Sequence, residues 1–291
     1  MKKWTALFFL VPFALQAQLN RSAVSVKGLD TNPCTPASPC RSFAQALSQT
    51  NARGEIIAVD SGGFGPVTVN KSVSIVAAPG VYAGISVPSG AAGVEVIAGG
   101  SDVVVVRGLT VIGAGGTVAL ELVFGARLYI ENCIVENFGN AIYASAGNLV
   151  ITDTILRQVF NGIEVSAGKN LLDHVAITEV SNIAIQARDT ATLTVRNVVV
   201  KGTTPGYNNT AFSSYSMTGT AILNIEGSAV FNTLSAATVL GGGLIRVSNS
   251  AMTGNSRGLW NLSGTIQSFG NNKIRGNTTN IDGTVTAVGQ D

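Results

Sequence analysis

Apolar and polar residues alternate in short runs along most of this chain, and from residue 128 the runs recur at a nearly constant interval. Phrases of one build open at Leu128, Leu149, Leu171, Leu193, Leu223, Ile245 and Ile266, in steps of 21, 22, 22, 30, 22 and 21 residues. LYIENCIVENFGNAIYAS (128–145) and LVITDTILRQVFNGIEVS (149–166) show that build. An alternating strand leads to a polar corner, a second short strand, Asn/Gly punctuation and a third strand. Alternation of this kind has the two-residue period of a strand. A fixed repeat in the twenties means stacked units, each too small to bury its own apolar face. No helix-period stretch separates the strands, so the unit is a β-helix coil and not a leucine-rich repeat. The predicted fold is all-β, a single-stranded right-handed parallel β-helix of about 21–22-residue coils. The handedness follows from the normal crossover sense of parallel strands.

Upstream the rhythm loosens. EIIAV (55–59), VTVNKSVSIVA (67–77), GISV (84–87), GVEVIA (93–98) and VVVVRGLTVIG (103–113) read as coils with variable corners. Residues 41–50 form the one predicted helix, after a short opening strand at Ala23–Val26. Ser42 followed by Gln45 has capping-box form, and Phe43, Ala46 and Leu47 make one apolar face. Such a helix suits a lid over the open end of a solenoid, whose strand edges and core would otherwise meet water. The 30-residue step carries about eight extra residues around 202–216, a stretch predicted to protrude as a loop.

Lys2 and Lys3, the apolar run Trp4–Leu15 and the small residue Ala17 have the form of a secretory signal peptide over 1–17, too short to span a membrane. The expected divisions are then 18–54, an opening strand and capping helix, and 55–291, the β-helix. Without the leader, the 18 basic and 16 acidic residues become 16 of each. Zero net charge without a basic stripe argues against nucleic acid or anionic membrane as partner. Export permits disulfides, and Cys34 and Cys40 sit in NPCTPASPC, a Pro-rich stretch able to fold back into a local bridge. Cys133 reads as a packing thiol. No His/Cys cluster has metal-ligand spacing.

The run from Cys34 to Ile75 (CTPASPCRSFAQALSQTNARGEIIAVDSGGFGPVTVNKSVSI) resembles the opening of secreted bacterial right-handed parallel β-helix proteins of the pectin-lyase-like superfamily. SFGNNKIRGN (268–277) resembles their last coil. The resemblance implies a fold and leaves function open, because that superfamily holds polysaccharide lyases, hydrolases, epimerases and adhesins. LLDHVAIT (171–178) resembles the Asp-His strand segment of pectate lyases, but the basic motif that should accompany it is not evident. The Asn-Thr-Asp, Asp-pair and Gly-His-Gly pattern of polygalacturonase-like members is absent.

Stacking places residues one coil apart about 4.8 Å from each other. Aligned on the repeat, Glu136, Arg157, Glu179 and Lys201 form an outward column of alternating charge. A lyase could use it, with Arg157 or Lys201 taking a proton and a carboxylate, together with Asp173, holding calcium against a uronate. The plainer role is a ladder of opposite charges that neutralises itself. A second column, Asn132, Asp153, His174, Asn197, Asn249 and Asn271, reads as a corner that tolerates left-handed backbone. His174 is placed in it by one of two possible alignments of LLDHV. Tyr129 and Tyr143 point outward by alternation, and Tyr207, Phe212 and Tyr215 fall in the long loop, where sugars could stack. The favoured expectation is a secreted, non-catalytic glycan-binding or cell-surface component without a cofactor, its partner a polysaccharide or cell-surface glycan. The alternative is a lyase or hydrolase acting on an acidic polysaccharide, with calcium if a lyase.

Overall fold

The computed structural model describes residues 19–202 and 209–289; the expected leader (1–17) and Tyr207 lie outside the described residues. Within them the chain winds through about ten turns of a parallel β-helix. One twelve-stranded parallel sheet forms the first wall, here wall A. The second sheet has seventeen strands and folds into two further walls, B and C. In the fifth turn, Asn148–Thr152 lies in wall A, while the long strand Ile155–Val165 supplies wall B with 155–157 and wall C with 161–165.

Each wall turns one set of residues inward, and these stack in columns. On wall C the column is Leu120, Ile142, Ile163, Ile185, Phe212, Ala237 and Leu259. On wall B it is Val111, Val135, Leu156, Ile177, Val200, Val230 and Met252. All fourteen are essentially sealed from solvent. Columns of branched residues at strand spacing make the dry, continuous core that no coil could bury alone.

The helix forms at Phe43–Gln49, with Phe43, Ala46 and Leu47 buried. Ser42 caps it by accepting from the Gln45 N–H at 3.2 Å. Asp30 supplies the other half of the cap, accepting from the backbone N–H groups of Arg41 and Ser42, both at 2.9 Å. The first strand, Leu19–Val24, pairs with Thr50–Ala58 at the edge of wall A, so strand and helix together cover the first coil. Cys34 and Cys40 form a disulfide, with Cα atoms 4.6 Å apart.

Wall A shows one register that the repeat misplaces. Leu149 pairs with Asn170, not Leu171, because Val150 pairs with Leu171 and Asn170 with Leu193. Asn170 therefore occupies the inward column of Leu128, Leu149 and Leu193. It is buried and bonded: its Oδ1 accepts from the Leu149 N–H at 2.8 Å and its Nδ2 donates to the Ala167 carbonyl at 2.9 Å. The side-chain amide thus supplies an acceptor for a strand N–H.

Candidate functional site

The corner between walls A and B holds left-handed backbone coil after coil. Asn132, Asp153, His174, Asn197 and Asn249 have φ between 46° and 53°, and Gly227 takes the intervening place. The N–H of each of the first four donates to a carbonyl of the next coil, that of His174 to Arg196 at 3.2 Å. His174 is a corner residue. Its exposed ring lies 3.0 Å from Asp173, whose carboxylate also accepts from Arg196 at 3.2 Å and Asn197 at 2.9 Å.

On wall B the outward column is Glu136, Arg157, Thr178 and Lys201. Arg157 is ion-paired to Glu136. Glu179, expected in this column, stands one residue further on. It takes left-handed φ 57° and joins Asn137 (61°) and Gln158 (55°) at the corner between walls B and C. The repeat misplaces it because the 22-residue step from Arg157 crosses the same irregular coil that displaces Leu171. Thr178 interrupts the charge ladder, and the carboxylate to the other side of Arg157 is not there.

The aromatic candidates separate. Tyr129 is on wall A, with its hydroxyl accepting from Arg127 at 3.0 Å. Tyr215 and Phe212 do not lie in a loop, since Thr210–Ser216 is a strand of wall C. Phe212 is fully buried in the inward column, so it packs and cannot meet a ligand. Tyr215 is half-buried, with the Arg188 guanidinium 5.9 Å from its ring centre. Tyr143 lines a cavity.

That cavity, about 330 Å³, opens on wall C over Glu121, Asn140, Tyr143, Asn161 and Glu164. A second, about 580 Å³, shares Thr117 and Glu121 with it and runs towards Glu95, Thr68 and the helix residues Ala44 and Leu47. Together they form one groove along the axis. Its floor is the outward column Thr68, Glu95, Glu121, Tyr143, Glu164 and Gln186. Glu95 accepts from the Thr68 hydroxyl at 3.1 Å. Glu164 is paired with Arg188 at 2.8 Å, which raises the guanidinium pKa further. Among the described residues Glu121 has no such partner. Partial burial, and then the charge of Glu95 in the neighbouring coil, pushes its carboxyl pKa up. One flank is a ladder of amides: Asn182 donates to Asn161, and Asn161 to Asn140, both at 2.8 Å.

Only Tyr143 of this groove stood among the sequence candidates. Glu95, Glu121 and Glu164 share its place in VEVIA, ALELV, AIYAS and GIEVS, a signal visible once the third strand of each coil is aligned. Among the described residues no three His, Cys, Asp or Glu side chains could together hold a metal ion, and no helix is long and apolar enough to cross a membrane.

Among solved structures, a pectate lyase superposes with a TM-score of 0.59 at 14% identity, covering 88% of this chain and 78% of that one. A rhamnogalacturonan lyase superposes with a TM-score of 0.50 at 10% identity, covering 88% and 75%. The fold shared with these two lyases is the parallel β-helix. At these identities their likeness to this chain is one of architecture. No family model matches the chain, and no curated protein matches its sequence.

Proposed function

We propose that this protein is a secreted glycan-binding β-helix and that the wall C groove is its binding face. The groove carries the reading: hydroxyl-accepting carboxylates, side-chain amides and one tyrosine ring line a continuous concavity on a rigid scaffold. Sugar hydroxyls need such polar partners, and the apolar face of a sugar ring suits an aromatic side chain. Export is supported by the leader and by the Cys34–Cys40 bridge, which persists in oxidising compartments. Polysaccharide-acting neighbours of the same fold agree with a glycan partner.

Among the described residues no arginine or lysine lines either cavity. A uronate chain would meet Glu95 and Glu121 without a counter-charge, so the glycan is neutral or carries amino groups. This departs from an acidic polysaccharide as ligand and from a lyase acting through Arg157.

A second reading has one observation behind it. The raised pKa of Glu121 beside Glu95 is the electrostatic arrangement of a glycosidase acid and its carboxylate partner. The chain from residue 18 should be titrated with neutral, amino-bearing and acidic polysaccharides, with and without calcium, while reducing ends and the ultraviolet absorbance of unsaturated uronates are followed. Binding of a neutral or amino-bearing glycan without product, weakened by Glu121→Gln, supports the first reading. Reducing ends lost in Glu121→Gln establish the hydrolase. Unsaturated uronate from an acidic chain would overturn both.

A further inference from the structure

The corner between walls B and C carries a feature separate from the groove. Phe160 is 54% exposed, as Phe124 is at 55%, whereas Phe43, Phe64 and Phe212 are fully buried. Its neighbours in the adjoining coils are Gly139 and Ser181, both small. A side chain built at Gly139 would meet nothing within 4 Å, so the space beside the ring is open. The notch, about 460 Å³, has Phe138 and Val159 at its base and Asn137, Gln158 and Glu179 along one side.

These three corner residues are left-handed at φ 61°, 55° and 57°, although none is glycine. Asn137 has a local reason, since its amide donates to the Gly113 carbonyl at 2.8 Å. Among the described residues, neither the Gln158 amide nor the Glu179 carboxylate takes part in a hydrogen bond or ion pair. On the other side stands the Asn140–Asn161–Asn182 ladder, the ridge between this notch and the groove. An exposed aromatic ring thus stands between two rows of amide and carboxylate groups.

We propose that this corner is a second saccharide site, in which an uncharged sugar unit stacks on Phe160 while its hydroxyls bond Gln158 and Glu179. The ring supplies a flat apolar surface that forgoes burial in the core. The flanking groups donate and accept as hydroxyls require. The one charge at the site is the Glu179 carboxylate, which accepts from a hydroxyl and repels a uronate. The proposal does not depend on the groove. A polysaccharide crossing the asparagine ridge would nevertheless touch both sites.

The test uses neutral hexasaccharides of glucose, mannose, xylose and galactose units, titrated calorimetrically against the chain from residue 18. Phe160→Ala should weaken the best-bound hexasaccharide about fivefold, the scale of one lost aromatic contact. Phe160→Trp, made together with Trp260→Phe, should retain binding and report it through a saturable change in tryptophan fluorescence. Gln158→Ala should weaken binding about threefold, one hydrogen bond's worth. Glu121→Gln separates the sites: binding that falls with Phe160→Ala and ignores Glu121→Gln supports the corner while failing the groove. Binding indifferent to Phe160→Ala, a Phe160→Trp signal that does not respond to sugar, or no binding of any neutral hexasaccharide would overturn the proposal.

Discussion

Walls B and C each present an outward column with charged side chains at the same one-coil spacing, yet the two behave differently. On wall B, Glu136 and Arg157 lie in adjacent coils and neutralise each other. On wall C, Glu95 and Glu121 are adjacent and alike, Tyr143 follows, and the cavities open there. A coil stack brings neighbours about 4.8 Å apart, so opposite charges satisfy one another and like charges remain available to a ligand. Charge order along a column, more than charge count, separates a self-neutralised face from one that keeps charge free for a ligand.

The largest effect should come from damaging what both walls rest on. Asn170→Ala leaves the buried Leu149 N–H and the part-buried Ala167 carbonyl without their partner. Stability should fall by about 3 kcal/mol in urea unfolding, and both columns should be lost in one transition. A loss under about 0.5 kcal/mol would mean that water replaces the amide.

Cys133 gives a smaller effect with a defined pH window. Burial pushes its thiol pKa up to about 11 from 9.0. The unfolded thiol ionises first, so above pH 9 the unfolded state gains stability that the folded state cannot match until its own pKa is passed. Unfolding free energy should drop by about 2 kcal/mol between pH 9 and 11, and Cys133→Ala should remove that component. Alkaline denaturation identical in the variant would overturn the assignment.

The two columns are compared directly by single changes. Glu121→Arg puts a cation between Glu95 and Glu164 and should cut binding of a neutral or amino-bearing glycan at least tenfold, about 1.4 kcal/mol. Arg157→Ala should change binding less than twofold and cost under about 1 kcal/mol of stability, because the ion pair is exposed. Reversed results would exchange the roles of the walls.

Glu121→Gln gives the smallest shift, in the opposite direction. Its pKa is raised in the fold, so the charged form costs stability at neutral pH, and that cost fades as pH falls through the raised value. Thermal melting at pH 7 should therefore rise slightly in the variant, and the difference should disappear under acid. A lower melting temperature at pH 7 would show that the carboxylate has a partner.

The corner residues Asn132, Asp153, His174 and Asn197 were legible as one column, because short polar side chains at a fixed interval after an alternating strand signal left-handed backbone. The capping helix was equally legible, since Ser42 and the apolar trio Phe43, Ala46 and Leu47 are local signals. Glu179 was not, because one residue of slippage moves a side chain from wall to corner and the sequence repeat tolerates that slip. Phe212 was misjudged for a related reason: its stretch looks loop-like by composition, while its partners Ile185 and Ala237 hold it in the core.

By itself the sequence determined the coil, its period, the parallel stack and the helical lid. Those properties arise from alternation within a strand and repetition between strands, both written along the chain. The tertiary structure decided which residues share an outward column, where Asn170 enters the core, and where Glu95, Glu121 and Tyr143 line one groove. These depend on register between coils some twenty residues apart, where single-residue slips cost nothing in the pattern and everything in the geometry.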